Sequence, residues 1–149
     1  MIRNVLVAVD GSENSDRALD FALDLAEKFG ASITILNVSE SLAMSAFPQE
    51  SAAYPSGSTA AFAKDLRAIQ NEVMSKSVSH ARAAKPNLPV SSMLKEGDPA
   101  LEIVNAAMDG GFDVIVVGHR GSGKMRERLL GNISEKVAHN APCPVVIVK

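Results

Sequence analysis

The chain has 149 residues, 46% of them hydrophobic and 21% charged, with a net charge of −2 and one cysteine. A chain of this length buries roughly 68–70% of its unfolded surface, so one domain can hold together without disulfides or a structural metal. The near-neutral balance excludes a polycation that coats nucleic acid or anionic lipid, and Cys143 alone excludes a disulfide framework or a Cys-rich metal site within one chain.

Met1 to Asp10 has too short an apolar run for a secretory signal, and no other run approaches a membrane span, which predicts a cytoplasmic protein without membrane contact. Val5 to Val9 is an unbroken apolar run ending at Asp10-Gly11-Ser12, the pattern of a strand buried on both faces. Ser12 or Ser15 caps a helix over Arg17 to Phe29, in which Ala18, Leu19, Ala22, Leu25, Ala26 and Phe29 recur at helical spacing and Gly30 is the stop. Ser32 to Val38 is a second buried strand. Ser39 to Ser58 has Pro48, Pro55, Gly57 and no sustained period; it reads as a long loop, either a lid or a disordered connection.

A long helix runs from Thr59 to about Ala84, with Phe62, Leu66, Ile69, Val73 and Ala81 on one side and Pro86 and Pro89 beyond its end. Val90 to Lys95 is a weaker strand, diluted by Ser91 and Ser92, which suits a sheet edge. Gly97-Asp98-Pro99 opens a helix with Asp98 as cap, a stripe of Leu101, Ile103, Val104 and Ala107, and Gly110-Gly111 as terminator. Val114 to Val117 is a fourth strand. Asn132 to His139 is a short helix with Ile133 and Val137 inward, and Val145 to Val148 is a last apolar strand.

The alternation predicts an α/β fold: an open five-stranded parallel sheet with helices on both faces. If the first two crossovers run one way and the next two the other, the strand order is 3-2-1-4-5. The topological switch then lies between the first and fourth strands, and ligands bind at the carboxyl ends there. Those ends are Val9-Asp10 and Val117-Gly118.

From the second of these ends grows a loop bounded by glycines, Gly118-His119-Arg120-Gly121-Ser122 onward to Gly131, followed by a helix start. Glycines allow close backbone approach and a helix start offers free N–H groups, so the arrangement suits a phosphate. Arg120, Lys124, Arg126 and Arg128 face only Glu127 in this loop; they are either a solvated face or a phosphate screen. Gly118 to Lys124 also matches the P-loop pattern GxxxxGK, but Met125 stands where a hydroxyl must meet Mg²⁺, which argues against that class. Asn132 and Glu135 have the spacing of a capping box, and Ser134 is either a surface hydroxyl or a ligand contact. His80, His119 and His139 lack metal-ligand spacing, and no general base or nucleophile stands out, so no metal or catalytic residue is assigned.

Gly118-x-x-Gly121, nine residues, then Gly131 resembles the G-2x-G-9x-G-(S/T) nucleotide motif of the universal stress protein family, and the likeness extends over essentially the whole chain. Val-Ala-Val-Asp10-Gly-Ser12 with Ala18-Leu19, Gly97-Asp98-Pro99 and Pro142-x-Pro144-Val-Val also look familial. The resemblance implies a sheet of order 3-2-1-4-5 like that of the adenine nucleotide alpha hydrolases, a dimer, and, in the ATP-binding branch, a nucleotide between the first and fourth strands. Carried over, Ala8, Val9 and Asp10 would line the adenosine end with Val38 against adenine, while Gly118, Gly121, Gly131, Asn132, Ile133 and Ser134 would meet ribose and phosphates. Val117, His119, Arg120 and Ser122 complete the predicted site. Asn132 departs from the family's Ser or Thr, though its amide can still donate to phosphate.

The expectation is therefore an ATP-binding regulator in stress response, with or without Mg, with little or no catalysis and an unidentified protein partner. A dimeric module without nucleotide and a slow ATP-hydrolysing or adenylating enzyme are the alternatives. Because Val145 to Val148 is apolar throughout yet falls at a sheet edge, it is expected to pair across a twofold axis as a homodimer.

Overall fold

The computed structural model describes residues 1–40, 56–119 and 132–149. In it Val5, Leu6 and Val7 are all at 0% exposure, because strand β1 (Asn4–Ala8) runs through the middle of a sheet covered on both faces. Beside it lie β2 (Ser32–Ser39), β3 (Val90–Glu96), β4 (Val114–Gly118) and β5 (Val145–Val148), all parallel, in the order β3-β2-β1-β4-β5. The expected topology and its switch between β1 and β4 are present.

The strand period of two divides the apolar residues between two layers. Val5, Val7, Val9, Ile33, Ile35, Val114 and Val116 face helices α1 (Glu13–Phe29) and α2 (Ser56–Ala84). Leu6, Leu36, Ile115 and Val117 face α3 (Pro99–Gly110) and α4 (Asn132–Asn140). Ser91 and Ser92 are exposed on edge strand β3, as their polarity suggests.

Capping explains the helix ends. Ser12 is the N-cap of α1, its side chain accepting from the Ser15 N–H at 3.2 Å, so the helix begins four residues before Arg17. Gly30 and Gly111, at φ of 65° and 62°, close α1 and α3, and Asp98 caps α3 from the Leu101 N–H at 2.9 Å. Helix α2 starts at Ser56, three residues before Thr59, so the end of the expected loop is helical; positions 41–55 lie outside the described residues.

Three apolar residues expected inside on α1, α3 and α4 are outside, and Phe62 and Ile69 on the apolar side of α2 are 40% and 59% exposed as well. Phe29 is 47% exposed because the stripe of α1 ends at Ala26, one turn earlier, and Leu23 belongs to it instead. Leu101 is 55% exposed, one step of about 100° round α3 from Ala100, and so beside the buried stripe of Ala100, Ile103, Val104 and Ala107 rather than on it. On α4, Ile133 is 41% exposed while Ser134 and Val137, three apart, take the inward face.

Helix α2 has 29 residues, about 43 Å, against the 8 residues of β2, about 26 Å. Gln70 marks where it passes the edge of the sheet. Its Nε2 donates to the carbonyls of Asn37 and Lys95 at 3.2 and 3.0 Å, near the carboxyl ends of β2 and β3. The residues of α2 before Gln70 therefore extend past the edge of the sheet at which the strands end.

At the opposite edge, Asp113 clasps β4 to β1. Its Oδ2 accepts from the Arg3 and Asn4 N–H groups at 2.8 and 2.9 Å, and its own N–H donates to the Asn4 carbonyl at 2.9 Å. These backbone donors hold the carboxyl below its ordinary pKa of 3.8. A lowered folded value supplies stability that is complete well above 3.8 and is lost as pH falls through the folded value. The Tm gap between the unmodified protein and Asp113→Asn should thus be widest near neutral pH and narrow in acid, whereas a pH-independent gap down to that range would contradict the clasp.

Candidate functional site

A parallel sheet delivers every strand's carboxyl end to one edge, and at the switch the chain leaving β1 turns to one face while that leaving β4 turns to the other. The crevice between them is framed by the turn after β1 and the start of α4.

The first wall is a turn held by its own side chains. Val9 donates its N–H to the Leu36 carbonyl at 2.8 Å and its side chain is in the α1/α2 core at 3% exposure, so Val9 presents backbone to the crevice. The Asp10 N–H donates to Ser15 Oγ at 3.2 Å, and Asp10 Oδ1 accepts from the Ser12 N–H at 2.9 Å. Ser15 Oγ in turn donates to the Ser12 carbonyl at 3.0 Å. Gly11 sits at φ 86°, in the left-handed region, and a Cβ there would lie 3.1 Å from Val73 of α2.

The second wall meets α1 directly. A Cβ on Gly118 would fall 2.9 Å from both the carbonyl carbon and the oxygen of Asn14, so only glycine lets the end of β4 abut the first turn of that helix. The next residue, His119, donates its N–H to the Val148 carbonyl at 2.7 Å, and its own carbonyl accepts from Ser134 Oγ at 3.3 Å. Ser134 is 3% exposed. Its hydroxyl therefore fastens the first turn of α4 to the chain leaving β4. Two helix N-termini, those of α1 and α4, are thus brought to one strand end, where the positive ends of their dipoles favour negative charge.

Ala8, Val38 and Val117 share one face of the sheet at this edge, packed with the α3/α4 layer. Asn132 is exposed and is the first residue of α4, which starts one position earlier than a capping box with Glu135 requires. Ile133, beside it, is also exposed. Arg120, Gly121, Ser122 and Gly131, with the rest of the basic loop, lie outside the described residues. Among the described residues no group of three or more metal-capable side chains comes together, and no helix is long and apolar enough to cross a membrane. Burial pushes the Cys143 thiol above its ordinary range, with the Asp113 charge adding to the effect, which leaves it protonated and a poor nucleophile.

One contributor is absent from the residues read off the sequence. Asn37 is 6% exposed, and its Nδ2 donates to the Val9 carbonyl at 2.7 Å, joining the ends of β1 and β2 by a side chain where the ladder stops. The signal was a single amide in the otherwise apolar run from Ile35 to Val38.

With this geometry in view, comparison with known proteins finds a match to the sequence model of the universal stress protein family over residues 1–149. The chain is similar to universal stress protein YxiE of Bacillus subtilis, 33% identical over 154 residues with 100% of each covered. Its fold is similar to that of a universal stress protein solved in complex with cAMP, with a TM-score of 0.74, 23% identity and coverage of 99% and 97% of the two chains. It is also similar to a universal stress protein from Archaeoglobus fulgidus in complex with dAMP, with a TM-score of 0.71, 22% identity and 100% of each chain covered.

The contact at Gly118 has a direct consequence. Gly118→Ala must push α1 away from β4 and should cost about 1–3 kcal/mol of stability in denaturant unfolding. An alanine variant as stable as the unmodified protein would contradict the contact.

Proposed function

Since the chain belongs to the universal stress protein family, we propose that it is an adenine-nucleotide-binding regulator, taking ATP with or without Mg in the crevice between β1 and β4. The observation that carries this reading is the convergence of the α1 and α4 N-termini on the end of β4, through the bare backbone of Gly118 and the Ser134 bond to His119. The relatives solved with cAMP and dAMP support the adenine part of the proposal. In this reading Ala8, Val9, Asp10, Val38 and Val117 take the nucleoside; Gly118, His119, Asn132, Ile133 and Ser134 take ribose and phosphates. Arg120, Gly121, Ser122 and Gly131 of the glycine loop join the second group.

The reading assigns little or no catalysis. Asp10, in the turn after β1, is engaged in that turn rather than poised to activate water. Nucleotide occupancy would act through the surface it orders, read by an unidentified protein partner in a cytoplasmic stress response.

We also infer a homodimer through β5. Among the described residues β5 has a strand partner, β4, on one side alone, and Ile147 on it is 37% exposed. Val146 packs against the core of its own chain, so Ile147 is the better position for a disruptive charge.

Two measurements test these readings. Denaturing the purified protein should release an adenine nucleotide detectable by mass spectrometry, and ATP at a hundredfold excess over Kd should raise Tm by about 5–10 °C, less so in Ser134→Ala. No released nucleotide together with no shift from ATP, AMP or cAMP would refute nucleotide binding. Light scattering should give a dimer that Ile147→Lys converts to monomer, and a monomeric unmodified protein would refute the β5 interface.

A further inference from the structure

A groove of about 450 Å³ runs between α1 and α2, within the size range of small-molecule sites. Its floor is apolar: Leu19 is 1% exposed and Val73 lies beside it, while Ile69 stands at the mouth with 59% of its surface open. Its rim is acidic, since Asp16, Asp20 and Glu72 face the single ammonium of Lys76. That ammonium is already committed, with Lys76 Nζ 3.1 Å from Glu72 Oε1 on the same helix. Asp20 is held by His80, with Oδ1 and Nε2 2.6 Å apart, whereas Asp16 has no ion-pair partner among the described residues.

An independent feature lies in the same groove. Ser77 is 7% exposed, lines the groove, and its hydroxyl makes no hydrogen bond among the described residues. A buried hydroxyl left unpaired is costly, and such groups in native proteins ordinarily have a partner. A ligand that donates hydrogen bonds at one end and is apolar elsewhere would satisfy Ser77 and the floor together.

We propose that this groove binds a small organic cation, a primary ammonium group on a compact hydrocarbon body. The ammonium supplies three donors and no acceptor, which matches the Ser77 oxygen and the carboxylates of Asp16 and Asp20. An anion would meet the surplus of carboxylates. A metal ion lacks a cage, because no group of three metal-capable side chains comes together among the described residues. The groove reaches Gly11 in the turn after β1, but the groups that would hold the cation lie on α1 and α2 and the inference does not depend on the nucleotide proposal.

The test is an NMR titration of the ¹⁵N-labelled full chain with benzylamine, using benzyl alcohol as the uncharged control of similar shape. Benzylamine should produce saturable shifts centred on the amides of Asp16, Asp20 and Ser77, while benzyl alcohol should not. Asp16→Asn should weaken binding about tenfold and Ser77→Ala about fivefold, both variants keeping the spectrum of the folded protein. No saturable shift at roughly a hundredfold excess of benzylamine, an equal response to benzyl alcohol, or an affinity unmoved by either variant would overturn the proposal.

Discussion

At the switch point the end of β4 touches the first turn of α1 backbone to backbone, with Gly118 against Asn14 and no side chain between them. Every other feature of the crevice is measured from that contact. It fixes how near the N-terminus of α1 stands to the chain leaving β4, and Ser134 then fixes the N-terminus of α4 to the same place through the His119 carbonyl. Among the described residues the geometry is therefore set by close packing and one buried hydroxyl rather than by long charged side chains, which would lose entropy on being held in place.

The sheet secures this edge from its other strands. Asn37 joins β2 to the Val9 carbonyl, and Gln70 joins α2 to the ends of β2 and β3. At the far edge Asp113 performs the matching task for β1 and β4 with a charged acceptor on two backbone N–H groups. The ion pairs between α1 and α2 matter less. Lys85, one residue beyond the end of α2, meets Asp24 and Glu27, but those carboxylate side chains are 76% and 62% exposed, and exposed pairs of this kind contribute little.

Most of the fold was legible because its signals are local. Unbroken apolar runs marked buried strands, Asp98-Pro99 and Gly110-Gly111 marked the two ends of α3, and the serines of Val90 to Lys95 marked an edge. What failed was orientation around short helices. Ile133 looked like the inward residue of α4, but the spacing of three between Ser134 and Val137 decides the face, and a serine carries no hydrophobic signal to reveal this. Phe29 and Leu101 lie outside for the related reason that a large apolar residue is not bound to lie on the stripe its neighbours define.

Of the three glycines expected at the site, Gly118 lies among the described residues, and Gly121 and Gly131 lie outside them. Gly118 was read as an opening for phosphate, and the structure adds a packing reason independent of any ligand. Asn37 escaped notice because a buried amide in a strand shows its purpose only when the neighbouring strand end is in place. That the Ser77 hydroxyl has no partner among the described residues is likewise visible only once α1 and α2 are packed together.

The central claim is that two converging helix N-termini make the end of β4 a seat for the phosphates of an adenine nucleotide. Isothermal titration of the full chain with ATP and with adenosine measures the phosphate contribution directly. The account predicts that ATP binds at least about tenfold more tightly, or about 1.4 kcal/mol. Adenosine binding as tightly as ATP would contradict it.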